Sequence, residues 1–374
     1  MRVRIGIVIG IMIWIGVIIL YILFIISKGE YYKNKEEIHE WFVSGSAPLL
    51  YPTAIFYSDL VFPNGRKRQI TTPTSIGLRW GYPASVSEIY SVFFPAPDSI
   101  NIIWFSFVEN QFYSLSSALP KERINGLLGE ISQKTKEPQY NYLIAGMAPF
   151  GRIAIWLRGK AIGTEVAWLQ AEPIDISIQD LSPRLKYTQD EYRDLILGSN
   201  GRKDAYENLL KNGLPDRILF EHYMQRFNYR IIPQFEDEDA AYECIHIDYY
   251  NGEYMAPSIS KEHQDYRNAR SGEHEFAMRG MPHKIILSWR IGETEYSGYF
   301  WTNEATIIDL FNASYGNIPS QERDLLIEIG RSNNKFRISL QKDTHKTEIA
   351  AGDIQIYVSK DYHEYYRSPN LGKP

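Results

Sequence analysis

Residues 5–26 read IGIVIGIMIWIGVIILYILFII, and no charged residue interrupts them. As a helix, a stretch this long spans roughly 30 Å, the thickness of a bilayer's hydrocarbon core. In lipid every peptide N–H and C=O must be satisfied within the segment, which a helix does. The stretch therefore predicts one transmembrane helix, a head of residues 1–4, and the lipid bilayer as the first partner. A secretory signal would have a shorter apolar run and a small-residue cleavage site. Here SKGEYYKNKEE follows, and the first small cluster, SGSA, comes only at 44–47. The anchor is read as uncleaved. Gly6 and Gly10 form a G-x-x-x-G that can pair helices, although glycine is common in membrane helices generally.

Arg2 and Arg4 precede the helix, and Lys28, Lys33 and Lys35 follow it. The two flanks nearly tie by the positive-inside rule. A very short basic head normally stays inside. The expectation is a single-pass protein of the bacterial inner membrane with its C-terminal domain in the periplasm.

The rest of the 374-residue chain is long enough for one large domain or two ordinary ones. A net charge of −5 argues against nucleic acid as a partner, since a phosphate-binding face needs clustered Lys and Arg. A single cysteine, Cys244, excludes an internal disulfide. The 27 tyrosines suit half-buried strands, where the ring packs and the hydroxyl finds a partner.

Residues 27–47 read as a stalk, helical across KEEIHEWFV, and 48–360 as an α+β domain of mainly antiparallel sheet. TAIFYSDLVF and RKRQIT read as a hairpin across Pro63-Asn64-Gly65. IGLRWGY and VFFPAP read as strands, and the apolar run Ile100–Val108 as a central strand covered on both faces. Helical signals concentrate near 121–135 and 188–230. Ile124, Leu127, Leu128 and Ile131 recur at helical spacing. Thr188 with Glu191 forms a capping box, and Gly213 is a stop. A boundary between two subdomains would fall near 184–232. Further strands follow at YECIHIDYY, KIILSWRI, TEYSGYFWT, LLIEIG, KFRISL and DIQIYVS. Asn251-Gly252 and Gly292-Glu293 mark turns, and EATIIDLFNAS marks a helix. Residues 257–282 read as a polar loop and 361–374 as a flexible tail. No internal repeat shows in the residues.

The chemistry-bearing residues form no familiar constellation. The eight histidines include no H-E-x-x-H. His246 and Asp248 share a strand face and lack a convergent third group, so a polar face is the simpler reading. His263, His274 and His283 cluster in or beside the polar loop. There is no G-x-S-x-G elbow. The glycines at 146, 151, 159 and 163 are too far apart for a dinucleotide fingerprint. No catalytic, metal or cofactor-binding residue is assigned, and no cofactor is expected. The acidic run Glu236, Asp237, Glu238 and Asp239, flanked by Phe235 and Tyr242, is the candidate for meeting a basic protein partner; a solvated loop is its alternative.

Several segments resemble the bacterial family known as domain of unknown function 2931: Leu50–Phe56, INIIWFSFVENQFYSL with Leu119-Pro120, and NYLIAGMAPFGRIAIWLRG. NGLPDRILFEHYMQRFNYR and the hairpin from Pro282 resemble it too. Members of that family are often lipoproteins with a lipidated cysteine, where this chain has an apolar helix. The resemblance implies an immunity-type envelope protein, some of whose relatives are encoded beside lipase effectors of type VI secretion. The expected function is binding and neutralising such a toxin. An envelope enzyme acting on glycans or lipids, or a structural or sensory envelope protein, are the alternatives.

Overall fold

The computed structural model describes residues 38–70, 76–77, 79–84, 92–132, 135–256, 275–333, 335–349, 351–358 and 363–367. The apolar stretch 5–26 lies outside them. Among the described residues no helix is long and apolar enough to cross a membrane.

Strands β1 (His39–Ser46), β2 (Thr53–Val61), β3 (Lys67–Arg68), β4 (Val92–Phe94), β5 (Ser99–Ser106) and β6 (Gln111–Ala118) come first. Helix α1 (Lys121–Leu128) precedes β7 (Tyr142–Ala148), β8 (Arg152–Arg158), β9 (Ile162–Gln170) and β10 (Glu172–Ile174). A helical segment follows with α2 (Ile178–Leu181), α3 (Gln189–Leu197), α4 (Lys203–Asn212) and α5 (Leu219–Met224). Then come β11 (Phe227–Phe235), β12 (Ala240–Tyr249), β13 (Tyr254–Met255), β14 (Ala277–Arg279), β15 (Pro282–Ile291) and β16 (Thr294–Thr302). Helix α6 (Glu304–Tyr315), β17 (Arg323–Ile329), β18 (Phe336–Lys342), β19 (His345–Ile349), β20 (Ala351–Val358) and β21 (His363–Arg367) complete the order.

Adding ten to each strand number of the first half yields the second. The first unit holds two five-stranded sheets, β4-β1-β7-β8-β9 and β3-β2-β5-β6-β10. The second holds β14-β11-β17-β18-β19 and β13-β12-β15-β16-β20, with β21 added at the edge. In each unit the first strand pairs in parallel with the seventh, β1 with β7 and β11 with β17. Every other pairing is antiparallel in both. A helix, α1 or α6, bridges the sixth and seventh strands each time. Even the register agrees. Leu143, Leu157 and Thr164 lie opposite one another in the first unit, as Leu325, Leu340 and Thr347 do in the second. The chain is a tandem pair of β-sandwiches, a repeat the residues themselves did not reveal.

Each unit has its own core. Trp41, Ile102, Trp104, Leu143, Ile155 and Leu157 meet in the first. Tyr229, Ile247, Ile285, Phe300, Leu325 and Ile338, closed by Phe311 of α6, meet in the second. A third cluster lies on the outer side of β5, where Phe105 and Phe107 meet Tyr192, Leu197 and Ala205 of α3 and α4. The strand at Ile100 is thus covered on both faces, as its unbroken apolar run requires. The units join where β13 pairs with β9, making one continuous eleven-stranded sheet.

Five sequence expectations change. The end of the supposed stalk is not helical: β1 is a strand, with Trp41 and Val43 in the core and Phe42 stacked on Tyr142 at 5.1 Å. Strands β7 and β4 pair along its two edges, which rewards extended backbone over the helical spacing of its apolar residues. Among its described residues IGLRWGY forms no strand, apart from a bridge at Ile76. The helix at 121 ends at Leu128, and Ile131 is exposed. Within 188–230 the helices stop at Met224, because the FNY stretch enters β11. Part of the expected tail pairs as β21. The Thr188–Glu191 capping box is present, and Gly213 ends α4 with φ +73°.

Candidate functional site

The seam between the units gathers three buried charged residues, Arg158, Asp248 and Glu253. Asp248, on β12, is buried. Its Oδ1 accepts hydrogen bonds from Tyr82 Oη at 2.5 Å and His246 Nε2 at 3.2 Å. Arg79 donates to Oδ2. Burial alone would raise this carboxyl. The hydrogen bonds from His246 and Tyr82 and the charge of Arg79 outweigh it and hold the group well below the usual carboxylate range. Burial, with Asp248 adding to it, pushes the Tyr82 hydroxyl up to about 12. Arg158, at the end of β8, lies between the rings of Tyr82 and Tyr254, 3.3 and 3.5 Å from their centroids, and donates to Gly81 O.

Two glycines permit this closeness. Gly81 (φ +73°) and Gly252 (φ +83°) both take left-handed backbone, and a Cβ on Gly81 would lie 2.0 Å from Gly252 O. The 79–84 loop thus lies directly on the Asn251-Gly252 turn. Trp80 packs on Trp156 at 4.7 Å, and Trp156 Nε1 donates to Asn251 O.

A second polar group flanks the joint. Arg226 donates to both oxygens of Glu253 at 2.8 Å. Glu253 also accepts from Asn251 Nδ2 and from the backbone N–H of Glu165. Glu165 Oε2 is 3.6 Å from Arg226 and has no hydrogen-bond partner among the described residues. Burial pushes the Glu165 carboxyl up to about 7, with Glu253 adding to the rise and Arg226 opposing it.

A carboxyl titrating near neutrality beside a second carboxyl is the pattern of an acid–base pair. Here, however, Glu253 is saturated by four donors. Asp248 is likewise a weak base, its oxygens engaged and its proton affinity depressed. Both clusters act as clamps across β9, β12 and β13. The sequence paired His246 with Asp248 but offered no third group. Arg79 and Tyr82 supply it from about 170 residues upstream. The only hint was RWGY, whose glycine sits between two large aromatics.

The acidic run forms the turn from β11 to β12. Glu236, Glu238 and Asp239 are exposed. Glu236 accepts from Arg331 N, and Asp237 from Asp239 N. Tyr242 is buried, and Phe235 packs on Trp289 at 6.2 Å, so the flanking aromatics serve the core and leave only the acids at the surface. Cys244 faces Ser288 across the β12–β15 ladder, half-buried.

A more prominent surface lies on the helices between the units. Tyr206 and Leu210, four residues apart on α4, share an exposed face. Leu195, Leu214 and Ile218 are exposed nearby in the chain. Leu210 is 69% exposed, while Ala205 on the opposite side of α4 is buried.

The model of a family of proteins of unknown function, DUF2931, matches residues 28–213. The chain belongs to this family. The DUF2931 match takes in the whole first unit and α2 to α4. It stops before α5 and the second unit, so the resemblances noted beyond Gly213, including the hairpin from Pro282, fall outside it. No match was found among curated proteins or among solved structures.

Proposed function

We propose that this DUF2931 protein is a membrane-tethered binding protein, held by residues 5–26, whose outer domain recognises another protein. The exposed apolar face of α4 carries the reading. Large apolar side chains ringed by charge, here Lys203, Asp204, Glu207 and Lys211, mark protein contact sites. The engagement of Asp248 and Glu253 by internal partners adds support, because both carboxylates are spent on holding the seam. The partner class is the one the family resemblance implies, a lipase effector of type VI secretion arriving in the periplasm. Tethering would concentrate the binder at the bilayer such an enzyme attacks.

The test is protection. Cells carrying the chain should survive an attacker delivering such a lipase, and Leu210→Asp with Tyr206→Asp should lose that protection while the protein stays folded in the membrane. Equal survival with and without the chain rejects the reading.

A further inference from the structure

At one end of the second sandwich, a cavity of about 280 Å³ opens between α6 and the ends of β17, β18 and β19. Leu310, Ala313 and Leu340 form an apolar wall. Its ionisable lining residues are Arg323, Lys342 and His345, with no carboxylate among them. Arg323 is 5% exposed. It donates to Glu322 O, Ser314 O and Gln321 Oε1, three neutral oxygens, and stacks on Tyr315. A guanidinium has five N–H donors. Among the described residues no carboxylate lies within ion-pair distance of Arg323, Lys342 or His345. Capping the last turn of α6 explains the bond to Ser314 O, but not why Lys342 and His345 face the same space.

The first unit shows what fills this place otherwise. By register, Asn141 corresponds to Arg323, Gly159 to Lys342, and Ile162 to His345. There Tyr140 is buried in the core, and its hydroxyl meets Thr164 at 2.7 Å. The counterpart of Tyr140 is Glu322, which points to solvent, and the counterpart of Thr164 is Thr347, which lines the cavity. Where the first unit has an aromatic plug, the second has an open cavity lined by Arg323, Lys342 and His345.

We infer that this mouth is a binding site for a small amphiphilic anion, a carboxylate head on a short alkyl tail. The buried guanidinium, whose hydrogen bonds go to neutral oxygens, favours the head. The leucine wall takes the tail, and the volume limits its length.

The test is equilibrium dialysis of radiolabelled hexanoate against the full chain in lipid nanodiscs, with empty nanodiscs as the blank. Saturable binding of one hexanoate per chain is expected. Lys342→Ala with His345→Ala removes two exposed residues and should weaken binding about tenfold, the size expected for hydrogen bonds to charged groups. Glu322→Tyr restores the plug of the first unit and should abolish binding, with the melting temperature unchanged or raised. Hexanol and inorganic phosphate at equal concentration should not displace the label. No saturable binding, or equal binding by the Lys342/His345 variant, overturns the site. Displacement by phosphate as good as by unlabelled hexanoate overturns the role of the apolar wall, and displacement by hexanol overturns the need for charge.

Discussion

Glu165→Gln should make the protein more stable, and only above mildly acidic pH. The Glu165 carboxyl, ordinarily near 4.5, titrates at about 7 because burial penalises its charge, Glu253 repels it, and Arg226 is committed to Glu253. Between those two values the folded chain keeps a proton that the unfolded chain has released. The unfolded state therefore binds fewer protons, and stability falls as pH rises through the window. The fall amounts to about 3 kcal/mol by pH 7 and above. Glutamine keeps the shape and carries no charge at any pH, so the variant loses this slope. Urea unfolding of both proteins at pH 4.5 and pH 8 reads the effect. Other titrating groups cancel in the comparison. The variant should match the wild type at pH 4.5 and exceed it by up to about 3 kcal/mol at pH 8. A variant less stable at pH 8 would mean that Glu165 is ionised and paired with Arg226, which refutes the reasoning.

Gly81→Ala should lift the 79–84 loop from the Asn251-Gly252 turn, because its Cβ would meet Gly252 O at 2.0 Å on a backbone already at φ +73°. A loss of about 2 kcal/mol is expected, with a weaker near-ultraviolet signal from the Trp80–Trp156 pair and unchanged far-ultraviolet spectra. Asp248→Ala should cost about 2 kcal/mol, since it leaves the Tyr82 hydroxyl without its acceptor while the half-exposed Arg79 can turn to water; thermal unfolding measures it. Alkaline phosphatase fused after Pro374 should be active in whole cells if the domain faces the periplasm, and a cytosolic reporter at the same point silent.

Local structure was legible where one short segment decides it. The Thr188–Glu191 capping box, the Gly213 stop and the Asn251-Gly252 turn each depend on a few adjacent residues. Strand β1 was not legible, because its partners Phe94 and Leu143 lie 50 to 100 residues away. The duplication was hidden for a related reason. What the two units share is hydrogen-bond register, and one register accepts Phe42 beside Tyr142 as readily as Arg230 paired with Asp324. Burial constrains only the inward positions, so Leu143 and Leu325 agree while their outward neighbours drift. The seam was half legible. His246 and Asp248 announced a shared face, but the residues that complete it belong to the other unit.

The account rests on the α4 surface meeting a protein partner outside the membrane. A photo-crosslinking amino acid at position 210 of the full chain, in cells under attack by a type VI lipase, tests that contact directly, with position 346 on β19 as control. The account predicts a covalent adduct with the lipase from position 210 and none from position 346. No adduct at 210, or equal labelling at both positions, would contradict it.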